Sequence, residues 1–463
     1  MAEDMQIGGR IGRLRRQRRL SQADLAAAIG ISGSYLNLIE HNRRKVTVPL
    51  LLKVAGYFGV EAGELADSDE GRLAGDLMEM FGDDVFADAD VTNLEVRDLA
   101  HANPAAARAM LRLYDSFRQA KGPAQSPAGD GEPYHLATDR ISDFLQEHAN
   151  HFPAIEAAAE RLRGEIDAMS DEFGSGLRAL LFNVFGVEVR LASLPQGIAL
   201  SRRANGGELH VSDLLPTESA NFLLAHHLGE IAASAEIAAL AAELPEGDAP
   251  ALARNVLAAY FAAALIMPYA PFLKACRDTR YDIERLGRRF GASFEQVCHR
   301  MTTLQRPGAM GIPMHLVRTD IAGNISKRFS LSGIHIPRHS GACPRWNVYS
   351  AFLNPERISV QLSQMPDGER YICIARAISK GDYRHNAPRR HFSIGLGTSV
   401  LHARELVYSE GVDLNNPAGF VPIGVSCRIC PRMECGQRAH PPADHRFQLD
   451  AGNRPESLYA RMR

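Results

Sequence analysis

The stretch LSQADLAAAIGISGSYLNLIEHNRR, residues 20–44, determines how the N-terminal part of the chain folds. Ser21 and Asp24 have the spacing of a capping box, which predicts that a helix begins there. Gly30 follows an apolar run and is expected to end this helix, because glycine adopts the left-handed backbone conformation most easily. Ser32 is expected to open the next helix. The stretch therefore predicts two short helices joined by a tight turn.

Further helices are expected on both sides of this pair. Ile7, Ile11 and Leu14 recur at helical spacing before it. A leucine-rich helix is expected to begin near Thr47, with Pro49 in its first turn. Two short helices joined by a tight turn are typical of a helix-turn-helix. In such a motif the second helix places its N-terminal residues in the major groove of DNA.

The charge distribution favours a polyanionic partner for this head. Residues 1–58 carry ten Lys and Arg against four Asp and Glu, whereas residues 59–99 carry two against thirteen, although the whole chain has a net charge of only -2. A basic head of this kind points to double-stranded DNA. The alternative is a helical protein-interaction bundle whose charge is incidental. The residues predicted to contact DNA bases or phosphates are Gln22, Ser32, Ser34, Tyr35, Asn37, Arg43, Arg44 and Lys45.

The same stretch resembles the helix-turn-helix of the lambda-repressor/Cro type. The elements Ser-Gln, Ala-x-x-x-Gly, Ser-x-x-Tyr and Ile-Glu-x-x-x-Arg occur together in it. The resemblance implies an all-α DNA-binding domain over residues 1–62.

A helical linker is predicted over residues 63–133. Its acidic part, residues 61–90, is expected to form a linker and a weak helix. A better helix should begin at Asn103-Pro104, with Met110, Leu113 and Phe117 at helical spacing. This helix serves either dimerisation or ordinary packing. A Pro/Gly-rich stretch, Lys121 to Pro133, then separates the linker from a larger body.

The sequence LLAHHLGEIA, residues 223–232, resembles the helix of a zinc peptidase with its key residues changed. In the metallopeptidases that accompany repressor-type helix-turn-helix domains, this helix reads like Ala-His-Glu-Leu-Gly-His, and a later helix supplies a Glu ligand. The resemblance assigns His226 to the first ligand, His227 to the position of the general base and Glu230 to that of the second His. Asn255, in RNVLAAYFAAALIMP, stands where the third ligand is expected.

Zinc catalysis needs three protein ligands and a base beside the metal-bound water, and Asn255 is a poor zinc ligand. A degenerate zincin-like domain without catalytic residues is therefore predicted over residues 134–310. On this reading the protein is not an enzyme. A working peptidase that cleaves a repressor is the alternative.

A cysteine cluster, Cys427-x-x-Cys430-x-x-x-x-Cys435, lies on a Pro/Gly-rich loop near the C-terminus. Three thiols at this spacing can hold a soft metal or an iron–sulfur cluster. Cys343, on a second Gly/Pro loop, is predicted to be the fourth ligand, and His440 is the local alternative that would favour zinc. A 4Fe-4S cluster, a structural zinc and free thiols that pack the loop are all compatible with these residues.

Residues 311–463 contain strand-like runs separated by turns, which predict an antiparallel sheet with flanking helices. Trp346, the only tryptophan, lies between Arg345 and Tyr349 in the sequence CPRWNVYSAF. An aromatic and arginine group of this kind can line a pocket for a nucleotide-bearing ligand, or Trp346 can be ordinary core. Arg376 is a further candidate because it flanks the predicted pocket strands.

Over nearly its whole length the chain resembles the short-chain fatty acyl-CoA regulators, which are bacterial transcription factors. The segments that carry this resemblance are SYLNLIEHNRR, FAAALIMP, GACPRWNVYSAF and PIGVSCRICPRMECGQRAHPP. It implies a homodimer or larger oligomer that binds an acyl-CoA such as propionyl-CoA or acetyl-CoA in its C-terminal body. It also implies control of genes for acyl-CoA use, and a 4Fe-4S cluster in some members.

The predicted fold is thus multidomain α+β: an N-terminal helix-turn-helix, a helical linker, a degenerate zincin-like domain, and an α+β acyl-CoA-sensing domain, residues 311–463, with a Cys-rich metal loop. A membrane span is not expected, since no run of 18 or more apolar residues occurs. The N-terminus also lacks the apolar core of a signal peptide, so a cytoplasmic location is predicted. The predicted function is an acyl-CoA-responsive transcription factor, with an iron–sulfur redox sensor as the alternative.

Overall fold

The structure is a computed structural model of the 463-residue chain, which divides into two compact units. The first unit comprises residues 1–124, 426–434 and 440–463, and the second comprises residues 125–425 and 435–439. The residues that the structure describes are 8–18, 20–40, 44, 46–59, 69–86, 91, 93–121, 134–203, 207–245, 247–338, 341–355, 357–381, 385 and 387–441.

The first unit is helical where it is described. Its helices are α1 (Gly8–Gln17), α2 (Gln22–Ile29), α3 (Gly33–Glu40), α4 (Val48–Phe58), α5 (Asp69–Phe81), α6 (Asn93–Ala102) and α7 (Pro104–Lys121). The first four share one core, in which Ile11, Leu25, Leu36 and Val54 are fully buried. Gly30 ends α2 in the left-handed conformation as predicted, and Gly59 ends α4 in the same conformation.

Helices α5 to α7 form a second core in the first unit. Leu77 of α5 is fully buried, as are Ala100 of α6 and Ala107 of α7. The acidic stretch contains the expected helix as α5, which contributes Leu73, Ala74, Leu77 and Met80 to this core. Helix α7 begins at Pro104 as predicted, but Leu113 and Phe117 are 72% and 36% exposed.

The second unit contains the remaining helices and both sheets. Its helices are α8 (Tyr134–Glu147), α9 (Pro153–Met169), α10 (Phe173–Phe185), α11 (Thr217–Ala232), α12 (Ser234–Ala241), α13 (Ala249–Ile266), α14 (Tyr269–Asp278), α15 (Ile283–Phe290), α16 (Phe294–Thr302) and α17 (Asn347–Ser350). By length and composition α13 alone among the described helices could cross a membrane, but 61% of it is buried inside the protein. Burial of this kind is typical of a core helix.

A small sheet precedes α11. Its strands are β1 (Glu188–Ala192), β2 (Leu200–Arg202) and β3 (Glu208–Ser212), in the order β1-β3-β2. Strands β2 and β3 pair antiparallel, whereas β1 and β3 pair parallel.

A larger sheet of six described strands fills the C-terminal part of the unit, in the order β5-β4-β8-β7-β6-β9. The strands are β4 (His315–Asp320), β5 (Ile325–Ser330), β6 (Ser359–Gln364), β7 (Arg370–Lys380), β8 (Arg390–Ser399) and β9 (Val421–Pro422). All neighbours pair antiparallel except β6 and β9. The predicted antiparallel sheet is confirmed.

The two faces of this sheet pack against different groups of residues, because side chains alternate along each strand. Ile372 and Ile374 of β7 belong to the main helical core. Tyr371 and Ala375, on the opposite face, pack in a separate cluster with Trp346.

A buried ion pair joins two helices of the main core. Glu156 of α9 and Arg300 of α16 have side chains that are 1% and 0% exposed. Arg300 donates two hydrogen bonds to the carboxylate, at 2.5 and 2.9 Å, and the Tyr260 hydroxyl donates a third at 2.7 Å. Burial acts to raise the pKa of Glu156, but Arg300 outweighs this and holds that pKa below its usual range.

Candidate functional site

The turn between α2 and α3 has the geometry that the sequence predicts. Ser21 accepts a hydrogen bond from the Asp24 backbone N–H, and the Asp24 carboxylate accepts one from the Ser21 N–H. Ser32 Oγ accepts a hydrogen bond from the N–H of Tyr35 at 3.2 Å and so caps α3. The predicted caps are confirmed, and they orient α3 as the second helix of a helix-turn-helix.

Glu40, at the end of α3, forms hydrogen bonds that connect α3 to α1 and α2. Its carboxylate accepts hydrogen bonds from Arg15 Nε at 2.7 Å and from Gln22 Nε2 at 2.8 Å. The hydrogen bond to Glu40 raises the pKa of Arg15. Sequence reasoning missed this contact. The sequence signal that could have indicated the contact is a single acidic residue, Glu40 of the element Ile-Glu, within a basic segment.

The predicted DNA-contacting residues fall into three groups. Ser32, Ser34, Asn37 and Arg44 are exposed, while Gln22 and Tyr35 are half-buried. Gln22 also donates to Asn37 Oδ1 at 3.3 Å, so its amide is used within the head. Arg43 and Lys45 lie outside the described residues. The structure thus leaves polar side chains accessible along the first turns of α3.

The helix that resembles a peptidase motif is α11, and it packs against α13 as that resemblance requires. His226 Nε2 donates to the backbone carbonyl of Asn255 at 3.2 Å. Gly229 permits the close approach of the two helices, because a Cβ there would lie 2.7 Å from the ring of Phe261. The residues that replace the peptidase ligands therefore meet in space.

These residues do not fit a zinc ion. His226 Nε2 carries a proton that it donates to a carbonyl, so only Nδ1 keeps a lone pair, and that atom lies 3.8 Å from Glu230 Oε1. Glu230 instead contacts Arg202 of β2, and its Oε2 lies 3.3 Å from His227 Nδ1. Burial lowers the pKa of His227 and keeps it neutral. A guanidinium therefore neutralises the carboxylate where the peptidase resemblance would place a metal.

The Trp346 segment is well packed. The indole is 7% exposed and donates from Nε1 to the Gly424 carbonyl at 3.0 Å. A cavity of about 20 Å³ adjoins Trp346, His315 and Cys373, which is room for about one water molecule. Tyr349 and Arg345 lie on the same segment and are half-buried. This region has no space for a nucleotide in the described conformation.

Arg376 lies on the other face of the sheet from Trp346. It donates from Nη1 to Glu284 at 3.1 Å, and its guanidinium lies 5.4 Å from the ring centre of Phe294. The structure therefore does not bring Arg376 together with Trp346 and Tyr349. The cause is the two-residue repeat of β7, which sends Arg376 toward the helices and Ala375 toward Trp346.

A cationic cleft of about 250 Å³ lies beside α14. Lys274, Arg277 and Arg306 line it together with Tyr269, whose ring centre is 4.2 Å from the Arg306 guanidinium. The lining also includes Asp278, which bonds to Lys274 at 2.5 Å. Sequence analysis did not single out these residues, because α14 and the loop at Arg306 are separated along the chain.

The four cysteines predicted to hold a metal are divided between the two units. Cys427 and Cys430 belong to the first unit, and the Cys430 N–H donates to the Cys427 carbonyl at 3.4 Å. Cys343 and Cys435 belong to the second unit. The Cys343 N–H donates to the carbonyl of Val425 at 2.8 Å. Among the described residues, no three His, Cys, Asp or Glu side chains are grouped so that they could hold a metal ion.

Three family models match the chain in succession. The model described as helix-turn-helix matches residues 11–65, and the IrrE N-terminal-like domain, of peptidase family M78, matches residues 182–302. The model described as short-chain fatty acyl coenzyme A regulator, C-terminal, matches residues 303–459.

Similar curated proteins span almost the entire chain. The propionyl-CoA carboxylase regulator of Cereibacter sphaeroides is 37% identical over 461 residues, which are 98% of each chain. The HTH-type transcriptional regulator PrpR of Mycobacterium tuberculosis is 35% identical and covers 96% of this chain and 93% of its own. A solved structure of a Mycobacterium tuberculosis transcriptional regulator is 38% identical, with a TM-score of 0.67, and covers 71% of this chain and all of that chain.

Proposed function

This chain belongs to the family of short-chain fatty acyl coenzyme A regulators, which are helix-turn-helix transcriptional regulators, and we propose that a short-chain acyl-CoA controls its affinity for an operator. Propionyl-CoA and acetyl-CoA are the proposed signals, and genes of short-chain acyl-CoA metabolism are the proposed targets. The observation that carries this proposal is the full-length similarity to a propionyl-CoA carboxylase regulator.

The head supports sequence-specific binding to double-stranded DNA. Ser34 and Asn37 project from α3 and are exposed, so they can reach base edges without unfolding the head. Arg44 is exposed beyond α3, and with Arg43 and Lys45 it is proposed to contact the phosphate backbone. Gln22 and Ser32 are proposed to bind phosphates at the start of the two helices, and Tyr35 to add a base or phosphate contact.

The cationic cleft is the proposed position of the coenzyme phosphates. Arg277 donates to the Met310 carbonyl and Arg306 to Glu160, and the N–H groups that these contacts leave over can donate to phosphate oxygens. The cleft of about 250 Å³ has room for part of the coenzyme, whereas the cavity beside Trp346 does not. Arg345 and Arg376 are proposed as further phosphate contacts. Trp346 and Tyr349 are proposed to contact the acyl end, which requires the packed Trp346 segment to open from the described conformation.

Calorimetry with propionyl-CoA tests whether the coenzyme binds in the cleft at Arg306 or at the Trp346 segment. We expect Arg306→Ala to weaken binding about 10- to 100-fold, since a charge-assisted hydrogen bond contributes about 1.5–3 kcal/mol. Arg345→Ala on the Trp346 segment is the matched control, and its effect should be smaller. A strong loss for Arg345→Ala with no loss for Arg306→Ala would move the coenzyme to the Trp346 segment.

Regulation then follows from linkage. An acyl-CoA that binds one arrangement of the second unit more tightly shifts the population of molecules that bind DNA. Short acyl chains would be distinguished weakly, by about 1–3 kcal/mol per methylene. A homodimer or larger oligomer in the cytoplasm is proposed, since helix-turn-helix regulators commonly read two half-sites.

We propose that the chain has no peptidase activity. The support is the Arg202–Glu230 contact and the His226–Asn255 hydrogen bond, which leave no set of three zinc ligands among the described side chains of α11 and α13. Incubation with candidate repressor proteins should give no cleavage. Cleavage that EDTA abolishes would contradict this proposal.

We also propose that Cys343, Cys427, Cys430 and Cys435 hold a 4Fe-4S cluster, with zinc as the alternative. The support is the spacing of the last three and the hydrogen bond from Cys343 to Val425, two residues before Cys427 in the chain. The described side chains are not grouped around a metal position.

Anaerobic purification followed by ultraviolet–visible absorption and metal analysis tests the cluster. We expect the broad visible absorption of an iron–sulfur cluster, and its loss in Cys430→Ser. Cys276→Ser is the control, because Cys276 is fully buried in the helical core. A colourless protein that contains zinc would select the alternative, and a protein without metal would exclude both.

A further inference from the structure

Lys327, on the edge strand β5, lies beside a histidine in an arrangement that can activate its amine. Its Nζ is 3.3 Å from Nε2 of His299 on α16. The Lys327 side chain is 45% exposed, so a reagent in solution can reach it. A nucleophile next to a neutral base is the elementary unit of covalent catalysis.

The surroundings of Lys327 are rich in positive charge. In the sheet Lys327 pairs with Arg318 of β4, and antiparallel partners carry their side chains on the same face. Glu295 of α16 accepts a hydrogen bond from Arg318 at 3.0 Å, and also contacts Lys380 of β7. Lys327 Nζ is 3.6 Å from the same carboxylate. Three basic side chains, those of Arg318, Lys327 and Lys380, thus share one carboxylate.

These contacts favour the reactive forms of both groups. Burial, together with repulsion by Arg318 and Lys380, lowers the pKa of Lys327 to about 8 although Glu295 opposes the shift. Burial also lowers the pKa of His299 to about 4, so its ring is neutral near pH 8. A neutral ring nitrogen can accept a proton from the attacking amine.

We propose that Lys327 is a site of N-acylation, where its amine takes the acyl group of an activated short-chain carboxylic acid, either a thioester or an acyl phosphate. Lys327 Nζ attacks the carbonyl carbon and forms the C–N bond, while the C–S or C–O bond to the leaving group breaks. His299 takes the proton from Nζ and passes it to the departing thiolate or phosphate. Nothing is oxidised or reduced.

The cations beside Lys327 assist the same step. Arg318 and Lys380 lie where negative charge develops on the leaving group and can stabilise it. The amide product carries no charge, so acylation removes one of the three cations around Glu295. Only the choice of acyl-CoA as donor rests on the proposed function, because an acyl phosphate would react by the same route.

Lys274 is an internal control for this reaction. It is 74% exposed on α14 of the same unit, and it bonds to Asp278 at 2.5 Å. Exposure alone would therefore make Lys274 the more reactive lysine. The proposal requires Lys327 to react faster than Lys274.

The test is peptide mapping by mass spectrometry of the full chain during incubation at pH 8, in separate arms with propionyl-CoA and acetyl phosphate. In at least one arm we expect Lys327 to be acylated roughly tenfold or more faster than Lys274, because the pKa of Lys327 is lowered. His299→Gln should slow the acylation of Lys327 roughly threefold or more, since a base with a pKa of about 4 is weak at pH 8, and it should leave the acylation of Lys274 unchanged. Circular dichroism of the variant checks its fold.

Equal rates at Lys327 and Lys274 in the unaltered protein would overturn the proposal, whatever the variant does. So would a folded His299→Gln protein that is acylated at the original rate. Acylation of Lys327 in a protein whose operator binding ignores acyl-CoA would leave this inference standing and contradict the proposed function.

Discussion

Replacing Glu156 by alanine is expected to lower the free energy of unfolding by about 3–5 kcal/mol, the usual cost of leaving one partner of a buried ion pair uncompensated. Arg300 would keep its charge in a site where its side chain is 0% exposed, and the Tyr260 hydroxyl would lose its acceptor. Chemical unfolding in urea, followed by circular dichroism, measures the change.

Glu165→Ala is the matched control for this result. Glu165 lies on the same helix, α9, and pairs with Arg161 at 3.3 Å, but the two side chains are 41% and 59% exposed. An exposed pair of this kind contributes less than about 1 kcal/mol. Equal losses for Glu156→Ala and Glu165→Ala would show that the Glu156–Arg300 pair does not stabilise the core as described.

The second large effect is expected at the DNA interface. The double variant Ser34→Ala, Asn37→Ala should weaken operator binding by about 2–6 kcal/mol, or at least roughly 30-fold, since each specific base contact contributes about 1–3 kcal/mol. Both side chains are exposed in the free protein, so the unfolding transition should hardly move. Fluorescence anisotropy with a labelled promoter fragment gives the affinity.

Ser116→Ala provides the control for the DNA prediction. Ser116 is exposed on α7 of the same unit, and its hydroxyl donates to the Arg112 carbonyl within that helix. Operator affinity should not change. Unaltered binding by the double variant would show that α3 does not read the operator.

The head could be predicted from sequence because its determinants are local. Ser21, Asp24 and Gly30 lie within ten residues, and each acts on the backbone next to it. The resemblance of α11 to a peptidase helix also led correctly to the meeting of His226 with Asn255, since both lie on long, regular helices.

The sites built by long-range packing could not be predicted in this way. Glu156 and Arg300 are 144 residues apart, and no local pattern couples them. Arg376 and Trp346 were grouped by sequence, but strand register places them on opposite faces of one sheet. The cleft at Arg306 and the Lys327–His299 contact likewise depend on how helices meet strands and loops that are distant in the chain.

The most direct test of the central claim is the anisotropy of a labelled fragment of the protein's own promoter, titrated with the full chain in acetyl-, propionyl-, butyryl- or free CoA. We expect salt-sensitive DNA binding, and a change in the dissociation constant of about 5- to 150-fold with a preferred acyl-CoA, the usual range of allosteric coupling. Free CoA should have a smaller effect. Unchanged affinity at acyl-CoA concentrations that saturate the protein by calorimetry would contradict the account.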